Sequence, residues 1–106
     1  MHMALSMLLT ALRSQCAALY GARFVQLVLY GSQARGDAVP GSDIDVLVVL
    51  QGPVSPGEEI ARTGGIVADL SLGYGVVIAC LFMGQEQFMH GQGPLLRHVR
   101  REGISV

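Results

Sequence analysis

The sequence predicts an α+β fold, a small mixed β-sheet with helices packed on it. Three observations predict it. Apolar residues recur at three- and four-residue steps near the start of the chain, short runs dense in β-branched and aliphatic residues follow, and glycine and proline punctuate the gaps between them.

Leu5, Leu8, Leu9, Leu12, Cys16 and Leu19 mark one face of a helix from about Met3 to Tyr20, which Gly21 stops. Phe24 to Tyr30 is expected as a buried strand. Gly31-Ser32 turns the chain, Gln33 to Arg35 is expected as a short helical turn, and Asp37 to Ser42, with Pro40-Gly41, as a loop. Ile44 to Leu50 is almost continuously aliphatic, which predicts a central strand buried on both faces. Pro56 to Leu72 has the length and pattern of a helix with Ile60, Val67 and Leu70 inward. Pro56 suits its first turn, and Glu58 and Glu59 suit its positive start. Gly64-Gly65 weakens that helix by about 1 kcal/mol per glycine relative to alanine, so a strand over Ile66 to Leu72 stays open as the alternative. Val76 to Met83 is expected as the third strand and Pro94 to Glu102 as the last helix, with Arg97, Arg100 and Arg101 near its negative end and Gly103 beyond it.

Composition removes several function classes. The 106 residues allow one domain with one modest core. Apolar residues make up 51% and charged residues 14%, so some apolar surface is available to a partner. The net charge of −1 gives non-specific nucleic-acid binding no global support. All seven basic residues are arginine, which excludes a lysine base, a Schiff base and a lysine-bearing phosphate loop within this sequence. Cys16 and Cys80 are far apart in apolar stretches and are expected as core thiols of a reducing compartment. The first ten residues have no basic flank, so neither a signal peptide nor a membrane span is expected, and the expected location is cytoplasmic. His2, His90 and His98 have no metal-ligand spacing, and core packing is the first reading of Met83, Phe88 and Met89.

The chemistry concentrates in Gly31-Ser32-Gln33-Ala34-Arg35-Gly36 and Ser42-Asp43-Ile44-Asp45. Residues two apart in a strand share a face, so Asp43 and Asp45 project together, their Cα atoms roughly 7 Å apart. Two carboxylates at that reach suit magnesium, whose remaining ligands are water and phosphate oxygens. Gly31 lets backbone approach an anion and Ser32 adds a hydroxyl. Arg35 suits either a phosphate contact or a bracing pair with Asp43 or Asp37, and Ser42 is expected to brace the loop through a side-chain to backbone bond.

Gly-Ser-x-x-x-Gly followed by Asp-x-Asp resembles the signature of the minimal nucleotidyltransferases of the DNA polymerase β superfamily. The resemblance covers nearly the whole chain, including the segment Leu95 to Gly103, and only the loop motif is specific. It implies a polymerase β-like core over residues 1–106, with Asp43 and Asp45 as catalytic metal ligands. It also implies a triphosphate, ATP foremost, at Gly31 and Ser32, with Arg35 and Ser42 beside it. The implied reaction moves a nucleoside monophosphate from the triphosphate to a hydroxyl of a protein or small molecule. As the alternative, the resemblance also implies an antitoxin-like module that acts on a helical HEPN-type partner by adenylylation or by contact, and a homodimer stays open. Full activity in that family uses a third carboxylate on the later strand. Val76 to Met83 contains none, Gly75 stands about where one is expected, Asp69 serves only if its segment is a strand, and Glu86 is expected as a solvated loop residue.

Overall fold

The computed structural model describes residues 2–106. Its first helix, α1 (Met3–Tyr20), buries Leu8, Leu9, Leu12, Cys16 and Tyr20 along one stripe, while Leu19 falls on the solvent side. A 3₁₀ turn, Gly21–Arg23, leads into β1 (Phe24–Tyr30). The short helix α2 (Ser32–Arg35) and a loop precede β2 (Ile44–Leu50). Helix α3 (Pro56–Tyr74) then leads to β3 (Ile78–Gly84), α4 (Gln85–His90), α5 (Pro94–Glu102) and β4 (Ile104–Ser105).

The four strands form one mixed sheet in the order β3-β2-β1-β4. β1 runs antiparallel to β2 and β4, whereas β2 and β3 are parallel and joined through α3. Alternation along the strands splits the core between two faces. Leu27, Leu29, Val46, Val48, Leu50 and Phe82 pack with α1 and α3 on one face. Val28, Leu47, Val49 and Met83 meet Leu96 and Val99 of α5 on the other. Burial on both faces explains the unbroken apolar run of β2. Each such side chain removed from water contributes about 1.5–3 kcal/mol before entropy is subtracted.

The segment Ile66–Leu72 is helical, so the strand alternative fails. Tertiary contact overrides the low propensity of Gly64-Gly65: Glu59, Thr63 and Leu70 form the buried stripe. Ile60 points outward, 58% exposed, contrary to expectation. The third strand begins at Ile78 rather than Val76, because Gly75 adopts a left-handed conformation (φ 65°) that closes α3. Glu86 lies on α4 rather than in a loop, its side chain 3.7 Å from that of His90 on the same helix. Both cysteines are free thiols. Met83 is buried, Phe88 is half-buried against it, and Met89 is exposed. No helix among the described residues is long and apolar enough to cross a membrane.

Candidate active site

The candidate residues gather where the end of β1 lies beside the start of β2. Gly31 leaves β1 with φ 74° and starts α2, and Gly36, left-handed at φ 81°, ends it. Within this turn the Ala34 and Arg35 N–H groups both donate to the Gly31 carbonyl at 3.1 Å. The Ser32 and Gln33 N–H groups precede that pattern and are left at the start of the turn, as at any helix beginning. The loop that follows is braced as expected: the Val39 N–H donates to Ser42 Oγ at 3.0 Å, and the Ser42 N–H returns to the Val39 carbonyl at 3.0 Å.

Asp45 is half-buried on the sheet, opposite Tyr30 of β1 and beside Ala79 of β3. Asp43 is exposed at the strand mouth. A Cβ added to Gly31 would lie 2.5 Å from Asp45 Oδ2, so the turn backbone is pressed against this carboxylate. Burial raises the Asp45 pKa above the usual carboxylate value, the Asp43 charge raises it further, and Arg35 partly offsets both. Burial, then the Asp45 charge and Cys80, push the Tyr30 phenol upward as well. Two carboxylates close enough to repel, with one arginine charge nearby, form a hard-oxygen donor pair that suits a divalent cation.

Arg35 braces the site. Its Nε meets Asp37 at 3.1 Å and its Nη1 meets Glu102 of α5 at 3.2 Å; no pair with Asp43 forms. Sequence reasoning missed Glu102, because nothing local ties position 35 to position 102. Tyr30 was also missed as a site neighbour, although a polar aromatic directly before the Gly-Ser turn was a readable signal.

The other carboxylates stay away from the pair. Asp69 is exposed on α3 and Glu86 is exposed on α4. Among the described residues no group of three or more His, Cys, Asp or Glu side chains is placed to hold a metal. Gly75, expected at the start of the third strand, is instead a helix cap, and the β2–β3 register sets Ala79 beside Asp45. A cavity of about 590 Å³ flanks the loop, lined among others by Gln33, Val39, Ser42, Leu72 and Val77, and no carboxylate lines it.

Comparisons with known proteins point to one family. The family model for the nucleotidyltransferase domain matches residues 9–101. A protein of Methanocaldococcus jannaschii, provisionally named a protein adenylyltransferase, is 38% identical over 69 residues; the match spans 65% of this chain and 63% of that protein. A solved structure provisionally described as a minimal nucleotidyltransferase superposes with a TM-score of 0.63 at 28% identity, over 99% of this chain and 98% of the other. A toxin–antitoxin crystal structure with AMP-PNP shares the fold, with a TM-score of 0.59 at 14% identity over 88% of this chain and 70% of that one.

Proposed function

The chain belongs to the nucleotidyltransferase domain family, and we propose that it moves a nucleoside monophosphate from a nucleoside triphosphate, ATP foremost, to a hydroxyl of a protein or small molecule, with magnesium. The observation that carries this reading is the packing of Gly31 against Asp45, which sets a side-chain-free turn directly over a carboxylate at a strand mouth. Asp43 and Asp45 would hold the metal. When bound, magnesium lowers the cost of deprotonating the acceptor hydroxyl and balances charge on the leaving group. The Gly31 backbone and the Ser32 hydroxyl receive the outer phosphates. Arg35 ties α2 to the Asp37 loop and to α5, which fixes the turn relative to the aspartates. Ser42 keeps the loop closed upon itself. In the transfer, a bond forms between the acceptor oxygen and the α-phosphorus. The bond to the bridging oxygen breaks, pyrophosphate leaves with its electron pair, and the hydroxyl proton passes to solvent. The protein's share is position and electrostatics.

A second reading is favoured by the missing carboxylate: a nucleotide-binding, antitoxin-like module that acts by contact with a HEPN-type partner. The register partner of Asp45 on β3 is Ala79, and β3 carries no acidic residue. The toxin–antitoxin structure that shares the fold supports a protein partner under either reading. The experiment is incubation with each triphosphate and magnesium, with and without the product of the adjacent gene, followed by intact mass measurement. A mass gain of one nucleoside monophosphate on the acceptor is expected. Magnesium-dependent nucleotide binding with no mass gain supports the contact reading, and absence of both binding and transfer refutes the site.

A further inference from the structure

β3 ends the sheet with an unpaired edge, and nothing in its sequence blunts that edge. Ile78-Ala79-Cys80-Leu81-Phe82-Met83-Gly84 has no charge and no proline, the devices that normally keep edge strands apart. The ladder shows which backbone groups are free. The Ile44 N–H donates to the Val77 carbonyl at 2.9 Å, so Val77 faces β2. Parallel ladders bond alternate residues, so Ala79, Leu81 and Met83 turn their backbone groups to β2 as well, and those of Ile78, Cys80 and Phe82 face outward. Beside this edge runs an apolar groove of about 300 Å³, lined by Ile60, Gly64, Val67 and Ala68 of α3 and by Cys80 and Phe82 of β3. Gly64 and Ala68 leave it shallow-walled, and Ile60 at its rim is 58% exposed.

We propose that a second copy of this chain pairs along β3, antiparallel, with the two-fold axis at Leu81, to make one continuous eight-stranded sheet. That register pairs all seven residues of the strand. The outward-facing Cys80 and Phe82 form hydrogen-bonded pairs with the partner's Phe82 and Cys80, and Leu81 meets its own copy in a non-bonded pair. The partner's Phe82 then lies on the same sheet face as Cys80, against the groove. A two-fold contact sets each surface on itself, which a charged edge would resist and this uncharged one does not. The other boundary of the sheet ends in β4, only two residues long. Pairing at β3 therefore consumes the one long free edge among the described residues and closes as a dimer rather than a fibre.

The inference is independent of the nucleotide chemistry, and its test uses the whole chain. Sedimentation of the wild type at micromolar concentration is expected to give about twice the chain mass of 11.2 kDa. Leu81 is 40% exposed and belongs to neither core cluster, so Leu81→Lys spares the core, yet it sets two like charges opposite each other at the axis. That variant is expected to be monomeric with an unchanged circular dichroism spectrum, and mixing it with Leu81→Glu is expected to restore a dimer. Residues facing in a non-bonded pair have Cα atoms about 4.5 Å apart, within disulfide range. Leu81→Cys should therefore cross-link between copies on oxidation while the wild type does not. A monomeric wild type overturns the proposal, as does a dimer indifferent to Leu81→Lys. A dimer lost in Leu81→Lys and not restored by Leu81→Glu overturns the axis at Leu81. A monomer that still transfers nucleotide overturns the dimer alone.

Discussion

Gly31 and Asp45 constrain each other. The glycine's φ of 74° is a conformation that side chains resist, and any Cβ would collide with the carboxylate. Gly31→Ala is expected to cost about 1–3 kcal/mol of folding stability, read by urea unfolding, and to displace Asp45 enough to remove magnesium-dependent nucleotide binding, read by calorimetry. Native affinity in that variant would show that the turn does not organise the site. Asp45 itself stores unfavourable charge. Its pKa is raised by burial and by Asp43, so the folded state holds the proton more tightly than the unfolded chain does. Its charge therefore destabilises the fold above the raised value, and the cost disappears as pH falls below the ordinary carboxylate value. Asp45→Asn is accordingly expected to raise the melting temperature at pH 7 and to match the wild type at pH 3, while abolishing the response to magnesium. A lower melting temperature at pH 7 would instead make Asp45 a structural residue.

Between α1 and α3 the sign reverses. Glu59 is fully buried, accepts the Tyr20 hydroxyl at 2.9 Å and pairs with Arg62 at 3.2 Å. Burial pushes its carboxyl upward, but Tyr20, the Ser55 backbone and the arginines Arg62 and Arg23 outweigh it and hold the pKa below the ordinary value. Its contribution is therefore present above the ordinary carboxylate pKa and lost as pH falls through the lowered value. Removing the acceptor leaves a buried phenol unsatisfied. Glu59→Ala is expected to cost about 2 kcal/mol, with the difference from wild type shrinking in acid. An equal difference at pH 7 and pH 3 would assign the loss to packing alone. Both Glu58 and Glu59 suit the positive helix start in the sequence, a criterion that alone does not separate them. The positions were separable: Glu59 shares a helical face with Thr63 and Leu70, at steps of four and seven, and Glu58 does not.

Across the whole molecule, the elements with strong periodicity were legible and the junctions were not. α1, β1, β2 and α5 keep their expected limits, because an apolar stripe or a doubly buried run fixes them. The Gly-Ser turn and the aspartate pair were legible as motifs. Their packing through Gly31 was not, since it depends on how β1 and β2 lie side by side. The start of β3 was misplaced because Val76 to Met83 has no local break; only the left-handed cap at Gly75 shows where the helix ends. That correction moves the test of the missing carboxylate from Gly75 to Ala79. Ala79 pairs with Asp45 in the parallel register, and paired residues of neighbouring strands project from the same sheet face. Ala79→Asp would set a third carboxylate beside Asp45. Without metal it adds a repelling charge, so the melting temperature should fall. Magnesium should reverse that loss and raise it further than in the wild type, and any slow nucleotidyl transfer should accelerate. Gly75→Asp is the control: it strains a left-handed cap at φ 65° and should lower the melting temperature with no recovery on adding magnesium. If Ala79→Asp gains neither magnesium-dependent stability nor rate, the β3 side of Asp45 is not where the reacting groups assemble, and the transfer geometry proposed for this sheet face is wrong.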